Sequence, residues 1–355
     1  MIRVGIIGMG RSGWELHAAA LSQLPDYQVA GVCDQSPARL AEAAHVFNAR
    51  AFTDPDALIH DEGIDLVVVA VPGHLHKTLA ITALEAGKHV VVEKPMANSL
   101  ADADAMLAAA NKTGRLLAVF HNRNWDKDYQ MVKALVQEQA LGELLSIDAR
   151  VMTYGPEWAN YGVPDFNPQW RIQAAYGGGF LADWGPHLVL QCLELAGAWP
   201  TSISCQLRSQ LWATEVDDYF FLRLGFPTGL LITIEGSNNA RIPMPRWFVV
   251  GRTATLIAEG AWGCWTTMQL RTSLAGMTVD VAPQGVAASS GGRNYDVGDD
   301  LSAQFYANLN DAITTGQPLA ISTARARDVI AILEAAREAN ANGVTVAVPA
   351  ALARS

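Results

Sequence analysis

Ile2-Arg3-Val4-Gly5-Ile6-Ile7-Gly8-Met9-Gly10-Arg11-Ser12-Gly13 is the stretch whose reading decides the fold. A short apolar run, Val4–Ile7, leads straight into Gly-x-Gly-x-x-Gly, and Gly13–Leu24 then has helical patterning. In such a turn Gly8 permits the tight bend, Gly10 lets a pyrophosphate approach the backbone, and Gly13 allows close helix–sheet packing. Arg11 and Ser12 lie in the turn itself, where the helix start offers free N–H groups to phosphates. A second apolar run, Val29–Cys33, ends in Asp34, 21 residues after Gly13. That is the place for a carboxylate that takes the two ribose hydroxyls of an adenosine. Glycines alone are a weak signal, and Asp34 could be a solvated strand end. Strand, glycines, helix, strand and acid in this order imply a dinucleotide site. A carboxylate repels a 2′-phosphate, so Asp34 favours NAD. Arg39, five residues on, is either a solvated helix residue or a group that weakens this preference and admits NADP.

Outward from this turn, strand and helix patterns alternate up to residue 121. Leu66–Val71 reads as a strand buried on both faces, His76–Ala86 as a helix, His89–Val92 as a strand, Ser99–Lys112 as a helix capped by Ser99, and Leu116–Val119 as a further strand. Strands separated by helices imply βαβ units in a parallel sheet. After a helix at about Asp128–Gln139 the chain becomes strand-rich with short connections, as in an antiparallel or mixed sheet. A helix at about Gly185–Leu195 interrupts these strands, and two helices follow, near Leu301–Thr314 and Thr323–Ala339. The expected fold is α/β. A doubly wound parallel sheet at 1–121 precedes a C-terminal α/β domain at 122–355 with a large, mostly antiparallel sheet. Pro283–Asp300 reads as a loop rich in Gly, Ser and Ala.

Two clusters carry the expected chemistry. Val90-Val91-Val92-Glu93-Lys94-Pro95 places two charges at the end of a buried strand, where open α/β sheets bind ligands. Lys94 there could donate a hydrogen bond or shuttle a proton; a surface Glu-Lys pair would read the same. The second cluster is Trp170-Arg171, then Gly177-Gly178-Gly179-Phe180-Leu181-Ala182-Asp183-Trp184-Gly185-Pro186-His187. Asp183 and His187, four apart, share a face if helical. A neutral imidazole can accept a hydroxyl proton near working pH. Against this, Asp183 could be a helix N-cap with Pro186 in the first turn, and His187 a core histidine satisfied by a backbone carbonyl.

These pieces resemble the glucose-fructose oxidoreductase / inositol dehydrogenase (Gfo/Idh/MocA) family over nearly the whole chain. The resemblance rests on the glycine turn with Asp34, on Pro72 and His76, on Glu93-Lys94-Pro95, and on Gly177 through Asp183 to His187. It implies an N-terminal Rossmann domain and catalytic roles for Lys94, Asp183 and His187, with His187 the acid/base and Asp183 binding the reacting sugar. By the same likeness Glu93 lies near the nicotinamide ribose, Pro72 and His76 border the cofactor pocket, and Arg171 stands near the cofactor. Phe120-His121-Asn122-Arg123-Asn124-Trp125 looks like a subgroup that often reads Asn-Arg-Arg-Trp, with Asn124 in place of the second arginine; Asn122 is a substrate-binding candidate. Gln191 stands where many members carry Asp. The family commonly buries one face of its C-terminal sheet against another subunit, which implies a homodimer or homotetramer.

Tyr154, Trp158, Tyr161 and Trp170 fall close together and could stack on the C–H faces of a sugar, or pack a loop. A polyhydroxylated small molecule is the expected substrate. A carbonyl or imine outside the sugars, a redox-neutral NAD-assisted step, and a non-catalytic NAD-sensing regulator are the alternatives.

Composition narrows the partners. Of 355 residues half are apolar, and the net charge is −10. Nucleic-acid binding needs clustered Lys and Arg, so none is expected. No apolar run approaches the roughly 20 residues of a membrane span. The chain starts directly in a strand pattern, with no signal-peptide signature expected. Cys33, Cys192, Cys205 and Cys264 form no CxxC pair, and His74-x-His76 borders the nicotinamide region, so no metal is expected. The expected home is the reducing cytoplasm.

Overall fold

The computed structural model describes residues 1–155, 169–259, 267–272, 278–283, 293–295 and 301–349. Its first sheet has six strands: β1 (Ile2–Ile7), β2 (Tyr27–Cys33), β3 (Arg50–Phe52), β4 (Leu66–Val69), β5 (His89–Val92) and β6 (Leu117–Val119). All pair in parallel, in the order β3-β2-β1-β4-β5-β6. The order reverses between β1 and β4, opening a crevice beyond the strand ends at which ligands bind. The Val runs of β4 and β5 are buried on both faces, which is why they read as unbroken apolar stretches.

The connecting helices begin and end on local signals. A π-helical turn, Ser12–Ala18, runs into α1 (Ala19–Leu21) directly after the glycine turn. Ser36 caps α2 (Pro37–Val46), and Asp54 caps α3 (Pro55–Ile59). Next come α4 (His76–Glu85) and α5 (Leu100–Thr113), the latter capped by Ser99 and ended by left-handed Gly114. The short edge strand β3 and helix α3 carry no strong periodicity and escaped the sequence reading.

α6 (Lys127–Gln137) leads to the second sheet, which has ten strands. These are β7 (Leu144–Met152), β8 (Ser202–Arg208), β9 (Tyr219–Gly225), β10 (Leu231–Ser237), β11 (Trp247–Gly251), β12 (Ala254–Glu259), β13 (Thr267–Thr272), β14 (Thr278–Pro283), β15 (Arg293–Tyr295) and β16 (Val346–Ala347). Most pairs are antiparallel; β7–β10 and β14–β15 are parallel. Between β7 and β8 lies α7 (Phe180–Ala196), and α8 (Leu301–Thr315) and α9 (Thr323–Asn342) follow β15.

One buried apolar cluster joins the two sheets: Val90 and Val92 of β5 share it with Leu188 of α7, Ile234 of β10 and Val329 of α9. α8 instead packs Phe305, Tyr306 and Leu309 against Ile6, Val68 and Val91 on the other face of the parallel sheet. The C-terminal helices therefore return to the N-terminal sheet. Among the described residues no helix is long and apolar enough to cross a membrane.

The glycine turn supplies a test. A Cβ on Gly13 would stand 1.9 Å from the carbonyl oxygen of Gly8, whereas nothing lies within 4 Å of one on Gly10. Gly13→Ala is expected to cost about 2 kcal/mol or more in urea unfolding, as overpacking against backbone does; Gly10→Ala is expected to cost well under half of that.

Candidate active site

The switch point of the parallel sheet opens on a cavity of about 450 Å³, lined from both halves of the chain. Gly8, at φ +92°, turns the chain out of β1, and its N–H donates to the Cys33 carbonyl (2.8 Å). Gly10, Arg11, Ser12 and Asp34 all face the cavity, while Gly13 lies behind them against Gly8. Asp34 Oδ2 accepts from the Met9 N–H (2.7 Å) and Oδ1 from the Ser36 N–H (2.9 Å), which fixes the carboxylate beside the turn. Each oxygen keeps a further lone pair for a ligand hydroxyl. Arg39 is not a freely solvated helix residue: its Nη1 donates to the Met9 carbonyl (2.7 Å), so it too is tied to the glycine turn. The open face of Gly10 and the N–H groups that start the following helix fit a dinucleotide pyrophosphate.

Pro72, His76, Glu93 and Lys94 line the middle of the cavity. His76 is buried, with Nδ1 2.9 Å from the Pro95 carbonyl oxygen and Nε2 2.8 Å from that of Val71. Burial lowers its pKa although both carbonyls favour the protonated ring; the neutral ring donates to one of the two carbonyls and packs between the end of β4 and the turn after β5. Burial opposes ionisation of Glu93, but His17, the Lys94 charge and the Lys94 N–H outweigh it and hold its pKa below the usual range.

Lys94 Nζ lies 2.5 Å from Asp183 Oδ1 and donates also to the Asp183 carbonyl (3.1 Å). Asp183 stands in the first turn of α7, not at its cap: its own N–H donates to Gly179 (3.0 Å), and Gly179, at φ +118°, is the N-cap. Capping is done from a distance by Asp217, whose carbonyl accepts from Phe180 (2.9 Å) and whose Oδ2 accepts from Leu181 (2.7 Å). Sequence reasoning missed Asp217 because no local spacing links it to α7. The helix therefore starts five residues earlier than its apolar pattern suggested, with Pro186 inside it.

His187 follows one turn after Asp183 and is 5% exposed. Its Nδ1 is buried without a hydrogen-bond partner, unlike a core histidine satisfied by a carbonyl. Burial, then the charges of Lys94 and Arg123, drive its pKa well below the ordinary value. His121, at the end of β6, lies edge-on to it with ring centroids 6.0 Å apart, and burial pushes its pKa down to about 3. His187 and His121 are thus held neutral, the Lys94 charge adding to burial, and unlike Asp183 neither lines the cavity itself.

The other expected site residues divide. Trp170 and Arg171 line the cavity, the guanidinium 4.5 Å from the indole ring. Asn122 opens a 3₁₀ turn, Asn122–Trp125, and Tyr154 stacks under Arg241 at 4.0 Å; neither lines this cavity. Trp158, Tyr161 and most of 283–300 lie outside the described residues. His74, expected at the border of the nicotinamide region, and Tyr176, which the sequence did not single out, line the cavity with rings 5.3 Å apart. Arg246, just before β11, reaches Asp126 and Asp128 (2.9 Å each) in a buried ion cluster directly after the Asn122–Trp125 turn.

A crevice at the switch point of a doubly wound sheet, with a glycine turn and a strand-end acid, defines an NAD-binding oxidoreductase fold. Residues 2–121 match the family described as "Oxidoreductase family, NAD-binding Rossmann fold", and residues 129–257 match the "GFO/IDH/MocA C-terminal domain". The chain is 32% identical to the uncharacterized oxidoreductase YdgJ of Escherichia coli over 73% of this chain and 71% of that one. It is 31% identical to the scyllo-inositol 2-dehydrogenase (NADP(+)) IolW of Bacillus subtilis over 74% and 70%. Among solved structures, an NAD-binding protein from Listeria innocua superposes with a TM-score of 0.82 at 29% identity, covering 98% of this chain and 96% of that one. The chain belongs to the Gfo/Idh/MocA family of oxidoreductases.

The buried neutral histidines predict an acid-side instability. A histidine whose folded pKa is depressed leaves the unfolded chain binding the extra proton. Stability is therefore lost progressively as pH falls from about 6.5, the unfolded value, toward the folded one, by up to about 1.4 kcal/mol per pH unit for each such ring. Denaturant unfolding at pH 7 and pH 5.5 is expected to show this loss, and His121→Gln to reduce it by about 1 kcal/mol.

Proposed function

We propose that the protein is an NAD(P)-dependent dehydrogenase that oxidises, reversibly, a secondary hydroxyl of a sugar, sugar derivative or cyclitol. The observation that carries this reading is the 2.5 Å Lys94–Asp183 contact at the cavity wall, one helical turn from the neutral, buried His187. Bound NAD supplies the hydride acceptor. His187 takes the hydroxyl proton as general base, a role that a neutral imidazole can fill and an imidazolium cannot. Lys94 donates a hydrogen bond to the reacting oxygen and polarises it. Asp183 holds Lys94 in place and accepts from a substrate hydroxyl with its remaining lone pairs. Glu93, Pro72 and His76 border the nicotinamide half, Trp170 and Arg171 the mouth, and Gly8–Gly13 the pyrophosphate. Asn122 and Tyr154 are assigned to a wider substrate path, beyond the cavity wall. Residues 1–121 bind the cofactor and 122–355 the substrate.

Asp34, beside the glycine turn, supports NAD as the preferred form, while Arg39 nearby keeps NADP within reach. The scyllo-inositol relative is named for NADP(+), and its substrate supports a cyclitol or sugar here. The outer face of the ten-stranded sheet leaves Leu231 and Phe248 exposed, which supports a homodimer or homotetramer. Free, buried Cys33, Cys192 and Cys205 accord with the reducing cytoplasm.

The test is a dehydrogenase assay on a panel of cyclitols and sugars. Lys94→Ala and His187→Ala are each expected to lower kcat by about 10²- to 10⁴-fold on the best substrate; wild-type turnover in either contradicts its role. Asp34→Ala is expected to move the NAD:NADP ratio of kcat/KM toward NADP by about tenfold, or about 1.4 kcal/mol; an unchanged ratio removes Asp34 from cofactor choice.

A further inference from the structure

A buried line of polar side chains runs from α8 to the cavity, and the chemistry above does not use it. The Tyr306 hydroxyl lies 2.6 Å from His17 Nδ1, and His17 Nε2 lies 3.3 Å from Glu93 Oε1. The Lys94 N–H donates to Glu93 Oε2 (3.0 Å), so both carboxylate oxygens are tethered. Tyr306 and His17 are fully buried and Glu93 is 7% exposed, yet Glu93 borders the cavity. The Tyr27 hydroxyl donates to the Tyr306 carbonyl (2.7 Å), which pins α8 at this point. Tyr306 lies outside both matched family segments.

The direction of these bonds follows from burial. Burial raises the Tyr306 phenol well above its ordinary pKa, so it keeps its proton. Its ring packs against Phe120 and Phe305, which offer that proton no acceptor. The phenol therefore donates to His17 Nδ1, the nitrogen within reach. With the phenol donating to Nδ1, the neutral form of the His17 ring carries its own proton on Nε2, pointing at Glu93. A hydroxyl on α8 thereby sets the tautomer that holds a carboxylate at the cofactor face. A fixed anion there interacts with the positive charge that a nicotinamide carries only when oxidised.

We propose that Tyr306 and His17 are positioning residues that hold the Glu93 carboxylate in one orientation on the cavity wall, so that oxidised cofactor binds more tightly than it would against an untethered carboxylate, while reduced cofactor gains little. The inference rests on the reading of this cavity as the nicotinamide site. Its measurement is direct titration of the intact protein with NAD⁺ and with NADH, followed by fluorescence, with melting recorded in parallel. Tyr306→Phe removes one oxygen and is expected to weaken NAD⁺ about five- to tenfold, and NADH less than about twofold, the loss of a hydrogen bond that orients a charged group. His17→Leu is expected to do at least as much. His17→Gln, which can accept from the phenol and donate to the carboxylate, is expected to stay within about twofold of wild type.

Wild-type NAD⁺ affinity in Tyr306→Phe and His17→Leu overturns the proposal. So does an equal loss of both cofactor forms, which a merely structural role would give. If Tyr306→Phe does not fold, the His17→Leu and His17→Gln pair decides. Selective NAD⁺ loss together with undiminished turnover in Lys94→Ala would leave this inference standing and remove the catalytic reading. A wild-type protein that binds neither cofactor form removes both.

Discussion

The contact between Lys94 and Asp183 is the constraint on which the candidate site depends. It joins the end of a parallel strand to the first turn of a helix that packs on the second sheet. Neither side chain is fully buried, at 18% and 21% exposure. An ion pair taken this far from water is held only when geometry and further hydrogen bonds compensate the lost hydration. Here the backbone does much of that work. β5 is fixed between β4 and β6, the turn after it packs against His76, and α7 is started by Asp217. The shared apolar core of Val92, Leu188 and Ile234 keeps the two sheets in register with each other.

Burial, with the charges around this contact added to it, keeps the histidines neutral. Burial is the main cause of the low pKa values of His187 and His121, and the Lys94 ammonium adds to both. Arg123, stacked 4.4 Å over the Trp184 ring, adds further positive potential at His187. Arg246 is largely spent on Asp126 and Asp128, with burial raising the pKa of Asp128. Cations held on aromatic faces and carboxylates keep an imidazole neutral without meeting it directly. The acid-side instability predicted above is the thermodynamic counterpart of the same arrangement.

Much of this was legible in the sequence, for physical reasons. The parallel sheet announced itself because strands buried on both faces must be continuously apolar, as Val67–Val69 and Val90–Val92 are. The glycine turn and Asp34 were legible because a pyrophosphate-binding turn needs those residue types at that spacing. Lys94, Asp183 and His187 were singled out by strand-end position, helical spacing and the family resemblance together; spacing alone left a surface Glu-Lys pair, a helix N-cap and a core histidine open. The misses were long-range. Asp217 caps a helix 37 residues before it in the chain, and Tyr306 reaches His17 across 289 positions. Arg39 was left open between a solvated helix residue and a cofactor-choice group because nothing local shows that the Met9 carbonyl lies beside it. The α7 start was misplaced because a glycine run looks like loop until a distant carboxylate supplies its cap. Tyr154 was chosen with its aromatic neighbours in sequence; it stacks on Arg241 and does not line the cavity.

The proposed reaction needs three side chains around one reacting carbon, Lys94 from the end of β5 and Asp183 and His187 from α7. Its most direct measurement is a crystal structure of the protein with NAD⁺ and the best cyclitol or sugar from the panel. The account predicts the reacting hydroxyl within hydrogen-bond reach of both the Lys94 ammonium and the His187 imidazole, with its carbon facing C4 of the nicotinamide. A substrate bound with that hydroxyl out of reach of His187, or with the nicotinamide ring turned away from Lys94, would contradict it.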